Sequence, residues 1–131
     1  MSGAIRELQA RCGIAAGSKG FHADRPKPMR QGATIAGKAE RQAALRNWQG
    51  NKLMLMVSEL AEAQDELRKG KPAFETYYPD GAKPEGVPSE LADVVIRVLD
   101  FCYTEGIDLE SIIEEKLAYN ATRERLHGKS F

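Results

Sequence analysis

The stretch ELADVVIRVLDFC, Glu90 to Cys102, constrains the fold of this chain more than any other. Nearly every residue in it is apolar, and its charges are Glu90, Asp93, Arg97 and Asp100. Placed on a helix at roughly 100° per residue, those charges share an arc of about 80°. Such a helix must bury most of its surface, and a buried charge costs several kcal/mol unless it is paired or holds a metal. Arg97 is able to neutralise one acid, Asp100 at i+3 being a candidate, but three acids exceed one arginine. The surplus calls either for another cation or for basic residues from elsewhere in the fold.

A second acidic stripe lies upstream. Asn51 is expected to cap a helix from Lys52 to Lys69, which Gly70 and Pro72 terminate. Its apolar stripe, Leu53, Met56, Leu60, Ala63 and Leu67, is the expected core face. Glu59, Glu62 and Glu66 stack beside that stripe with no lysine at i+4. Like charges one turn apart repel by a few tenths of a kcal/mol, and a cation reverses the sign. Taken alone, this is also what a solvent-facing acidic stripe looks like.

Taken together, Glu59 with Glu62 and Glu90 with Asp93 can bring four carboxylates around one site. All-oxygen ligation suits a hard ion, Mg²⁺ or Mn²⁺ in its place, rather than zinc. His22 and His127 fall in loop and tail, and no Glu-x-x-His motif offers a di-iron site. Mg²⁺ in such a cage keeps positions for water and phosphate oxygens, so the implied substrate is phosphorylated. The chain has no GxxxxGK[ST], which argues against a Walker-type NTPase.

Elsewhere the pattern is helical. Short helices are expected from Ala4 to about Cys12, closing near Gly13 or Gly17, and from Thr34 to Trp48, stopping at Gly50. Pro88 and Ser89 open the Glu90 helix, Gly106 closes it, and Asp108 caps a last helix from Leu109 to about Arg123. Residues 71–88, rich in proline, form a long connection with room for two short extended pieces. The expected fold is all-α, one domain over residues 1–131 with four to five helices, in which 22–51 is a longer loop and helix insertion.

With 42% hydrophobic and 29% charged residues, the profile suits a small helical protein that hides apolar surface against another subunit. Net charge is zero, which argues against binding a nucleic-acid polymer. Acids dominate 59–115 and basic residues dominate either side, which fits either solvated helix faces or a cation site flanked by polyanion-holding groups. Neither a signal peptide nor a run of about 20 apolar residues is visible, so no membrane association and a cytoplasmic location are expected. Cys12 and Cys102 suggest no disulfide framework, Cys102 reading as a small core residue.

On the last helix Lys116, Asn120 and Arg123 form a cationic, hydrogen-bonding stripe suited to polyphosphate. Lys52 is a further substrate-binding candidate. The two acidic pairs, the KxxxNxxR at Lys116–Asn120–Arg123 and their order resemble the MazG-like all-α nucleoside triphosphate pyrophosphohydrolases, especially the small phage-type proteins. RELQARCGIAAGSKGF is similar to that family's N-terminal segment, with Phe21 where an aromatic follows Lys-Gly. The resemblance implies a helical bundle completed by subunit pairing, as a homodimer or homotetramer. It implies Mg²⁺ held by Glu59, Glu62, Glu90 and Asp93; in the mechanism expected here, Glu59 or Glu62 also hydrogen-bonds the attacking water. It further implies cleavage of an NTP or dNTP to NMP and pyrophosphate, with Lys116, Asn120 and Arg123 contacting phosphate or metal-bound water and Phe21 near the base. Arg97 and Asp100 are expected to orient the ligands. The alternative is a non-catalytic helical module that binds nucleotide or a protein partner.

Overall fold

The computed structural model describes residues 3–130, the side chain of His127 excepted, so the ends of the expected 1–131 domain lie outside the described residues. The described residues form four α-helices: α1 (Ala4–Ser18), α2 (Ile35–Arg68), α3 (Val87–Glu105) and α4 (Leu109–Ala121), followed by a short 3-10 helix, Arg125–Gly128. The all-α expectation holds. Among the described residues the extended structure is a single antiparallel bridge, Tyr77 with Glu85, inside the long connection. Among the described residues no helix is long and apolar enough to cross a membrane.

Two helix boundaries differ from expectation, for one reason. The break expected at Gly50 and Asn51 does not occur, because α2 runs unbroken for 34 residues, about 51 Å at 1.5 Å per residue. An interior glycine costs only about 1 kcal/mol, which the flanking Ala, Leu, Arg, Gln and Lys tolerate. The 22–51 insertion is therefore a loop that feeds directly into α2, whose N-cap Thr34 accepts a hydrogen bond from the Gly37 amide at 3.0 Å. Likewise α1 passes through Gly13 and Gly17 instead of ending there. True stops come where the backbone turns left-handed, at Gly70 (φ 83°) and Gly106 (φ 69°).

Gly13 is buried, and a Cβ built there would overlap the Tyr103 side chain at its root. The close approach of α1 to α3 thus requires glycine. Gly13→Ala is expected to lose about 1–2 kcal/mol to overpacking and lower Tm by several degrees in a thermal melt. A raised Tm would contradict the close packing.

α3 packs on both α2 and α1, while α4 packs chiefly on α1. The pairs Gln49–Glu105 and Glu59–Arg97 run in opposite order, so α2 and α3 are antiparallel. The buried apolar core is small: Cys12, Trp48, Ala63, Val87, Leu99 and Cys102. Cys102 is a core residue as expected, and burial raises the pKa of both free thiols.

The expected core stripe of α2 is where the sequence reading fails. Ala63 is buried, but Leu53, Leu60 and Leu67 stand about half exposed. What α2 turns inward is the line of Trp48, Glu59, Ala63 and Glu66. Glu66 is 4% exposed and belongs to the scaffold, accepting from the Tyr77 hydroxyl at 2.8 Å and pairing with Lys69 at 3.1 Å. Those two contacts hold the Glu66 carboxyl below the usual range and tie the 71–88 connection to α2.

Candidate metal centre

The antiparallel crossing of α2 and α3 sets acids from both helices against each other. Glu59, Glu90 and Asp93 each offer one carboxylate oxygen, and those atoms lie within 4.8 Å of one another. Glu59 and Glu90 are buried at 8% exposure each, whereas Asp93 is open to solvent. Burial, then the charges of Glu62, Glu59 and Asp93, push the Glu90 carboxyl up from 4.5 to about 7. A carboxylate raised by burial and like charges is one that a cation would restore to its ionised form.

Glu62 is the one of the four expected ligands outside this tight group. It is exposed, yet its charge is felt by Glu90 and also by Lys83, whose ammonium is raised chiefly by its hydrogen bond to Glu85. It therefore stands at the rim of the cluster. The donor set is all oxygen and includes two buried carboxylates, which fits Mg²⁺ or Mn²⁺.

Basic partners meet one acid of the cluster, Glu59, and one beside it, Asp100. Arg97 donates to Glu59 Oε1 at 2.6 Å, across the helix pair, rather than to Asp100 on its own helix. Asp100 is taken by His22, Nε2 to Oδ1 at 2.6 Å, and Thr104 donates to the Asp100 carbonyl. Among the described residues neither Glu90 nor Asp93 has an ion-pair partner. Arg97 thus positions Glu59, and Asp100 anchors the loop between α1 and α2.

That loop is strapped down along its length. Besides His22, Arg25 pairs with Glu105 at 2.9 Å, Asp24 accepts from the Trp48 indole at 2.9 Å, and Lys52 donates to the Phe21 carbonyl at 3.0 Å. It forms a wall of a cavity of about 620 Å³, within the range of nucleotide-sized pockets. Glu59, Asp93 and Arg97 line one part of it, and Phe21, Trp48 and Phe101 supply aromatic surface. Arg11, Lys19 and Lys52 add positive charge. The expected substrate residues Phe21 and Lys52 are therefore at the cavity, next to the acids.

The stripe on the last helix is placed differently. α4 ends at Ala121, so Arg123 lies beyond its cap, and Lys116, Asn120 and Arg123 do not line the cavity. Lys116 and Arg123 instead flank the Tyr119 ring, each 5.8 Å from its centroid. Sequence reasoning missed Trp48, Arg11 and Lys19. The i, i+4 spacing of Trp48 and Lys52 would have marked one face, had the helix been read as continuous. Compared with protein families, with curated proteins and with solved structures, the chain gives no match.

Proposed function

We propose that this chain is a Mg²⁺-dependent nucleoside triphosphate pyrophosphohydrolase, cleaving an NTP or dNTP to NMP and pyrophosphate. The observation that carries this reading is the cluster of Glu59, Glu90 and Asp93, of which Glu59 and Asp93 line a cavity with aromatic and cationic walls. Glu59, Glu90 and Asp93 would hold the ion, with Glu62 at the rim. Bound there, Mg²⁺ supplies neutralisation of phosphate oxygens and a water of lowered pKa.

The chain's own groups do the rest. Arg97, hydrogen-bonded to Glu59 at 2.6 Å, fixes that carboxylate's rotamer. Glu62, exposed at the rim, is free to accept a proton from the attacking water. Lys52 and Arg11 face the cavity and offer charge to phosphate oxygens, while Phe21 and Trp48 offer a stacking surface for a base. The test is incubation of the protein with each NTP and dNTP and Mg²⁺, followed by ³¹P NMR. NMP and pyrophosphate are expected; NDP with orthophosphate contradicts the proposed bond.

A non-catalytic nucleotide-binding or interaction module is the second reading, favoured by the absence of Lys116, Asn120 and Arg123 from the cavity lining. Mg²⁺ titration separates the two, because such a module without a metal site shows no Mg²⁺- or Mn²⁺-dependent rise in Tm.

A further inference from the structure

We propose that Asp100 selects the base at this site, accepting a hydrogen bond from the exocyclic amino group of cytosine or adenine and rejecting their keto counterparts. The proposal rests on the nucleotide chemistry proposed for the cavity and adds a substrate preference to it. Asp93 and Asp100 stand seven residues apart on α3, and both line the cavity. Seven residues advance about 10.5 Å and return to within roughly 20° of the same face. That interval is comparable to the length of a nucleotide from its α-phosphate to the far edge of its base. A nucleotide lying along α3 with its phosphates at Glu59 and Asp93 therefore brings its base to Asp100.

His22 decides what Asp100 offers there. Its Nε2 meets Asp100 Oδ1 at 2.6 Å, and because an ionised carboxylate only accepts, Nε2 carries the proton. Thr104 spends its hydroxyl proton on the Asp100 carbonyl at 2.9 Å, so its oxygen, 3.1 Å from Nε2, accepts as well. Among the described residues Oδ2 meets no donor, and no lysine or arginine pairs with Asp100. The side chain keeps 17% exposure, at the cavity it lines. One oxygen is thus held in place and the other is open.

The surroundings suit a flat ring. Phe101 lines the cavity next to Asp100, and α1 contributes Cys12, Ala15 and Ala16, all small. Burial raises the Cys12 thiol, Arg11 opposes the rise and the charge of Asp100 adds to it, so the carboxylate is felt at the α1 wall. A carboxylate has no proton to give. It accepts from the amino group of cytosine or adenine, whereas the keto oxygen of uracil or hypoxanthine sets one acceptor against another. The amino base should gain about 10–100-fold, the worth of a hydrogen bond to a charged group.

The test compares bases that differ only at that position, dCTP with dUTP and dATP with dITP, in the presence of Mg²⁺. Expected is a kcat/KM about 10–100-fold higher for the amino base in whichever pair turns over faster. Trp48, the single tryptophan and part of the cavity wall, gives binding separately through its fluorescence, whether or not the nucleotide is cleaved. Asp100→Asn checks the assignment by inversion. With His22 still donating to Oδ1, the amide nitrogen takes the open position and donates, so the keto base should become preferred, or the preference at least vanish. A purely structural role would weaken both members of a pair alike. Equal values within both pairs, a wild-type keto preference, or an amino preference that Asp100→Asn leaves unchanged overturns the proposal while the pyrophosphohydrolase stands. Binding without turnover removes the reaction and leaves the preference to be judged on affinities. Neither turnover nor a fluorescence change with any of the nucleotides overturns both.

Discussion

Asp93→Ala is expected to lower kcat/KM for pyrophosphohydrolysis by about 10²–10³-fold, the range for losing one group that stabilises transition-state charge. Asp93 is the cleanest of the acids to remove. It is exposed, it belongs to the cluster whose oxygens lie within 4.8 Å, and it has no ion-pair partner among the described residues. Its loss strands no cation and opens no cavity. Glu59→Ala, by contrast, would leave Arg97 without the carboxylate it meets at 2.6 Å, mixing a structural defect with a chemical one. The Asp93→Ala protein should keep its helical circular dichroism and melt within a few degrees of the wild type. Full turnover in Asp93→Ala would remove the cluster from the proposed mechanism, even if the protein proved to be a pyrophosphohydrolase. Asp93→Asn separates charge from shape and should fall nearly as far, because a neutral amide is a poor ligand for a hard cation.

The contrast between Asp93 and Glu59 also marks what the sequence makes legible. On the Glu90 helix the charges had nowhere to hide: four polar groups on one arc of an apolar segment could be assigned to a common face before any fold was known. The pairing of Glu59 with that arc followed from the ExxE spacing, and the cluster of Glu59, Glu90 and Asp93 appears where those patterns place it. Periodicity, however, gives only relative angles along a helix. It cannot say which face a neighbour covers. On α2 that ambiguity put Leu53, Leu60 and Leu67 in the core and the glutamates beside it, whereas Glu59 and Glu66 are the buried residues and the three leucines stand half exposed. Glu66 in particular looks like a third member of the acidic stripe, and only the return of Tyr77 from the connecting loop reveals it as a scaffold residue.

Tertiary contacts hid the rest. His22 and Asp100 are 78 residues apart, and nothing local announces their 2.6 Å contact. Gly50 and Gly13 read as punctuation because their penalty is local, while the packing that offsets it at Gly13 comes from Tyr103 on another helix. Trp48 reads as the last residue before a break, so its place in the cavity wall depends on a helix that does not break.

The stability of the metal-free protein is expected to fall as pH rises from about 4.5 to about 7, and Mg²⁺ should reverse that fall. The cause is Glu90, whose carboxyl is pushed from 4.5 to about 7 by burial and by Glu62, Glu59 and Asp93. Below the lower value it is protonated whether the chain is folded or not, and it contributes nothing to the pH dependence. Between the two values the unfolded chain releases its proton while the folded chain holds it, so each rise in pH favours unfolding. Above about 7 the full penalty is present, on the order of 1–3 kcal/mol and several degrees in Tm. A divalent cation at the cluster favours the ionised carboxylate, so at pH 8 Mg²⁺ should raise Tm by a similar amount and bind more weakly as pH falls. Glu90→Gln supplies the control. It keeps the size of the side chain and cannot ionise, so its metal-free Tm should be flatter across this window and respond little to Mg²⁺. A wild-type Tm that climbs from pH 5 to pH 8 without metal, with Glu90→Gln matching it, would show that the strain among these acids is absent. A flat Mg²⁺ response at pH 8 would separately remove the cation from the site.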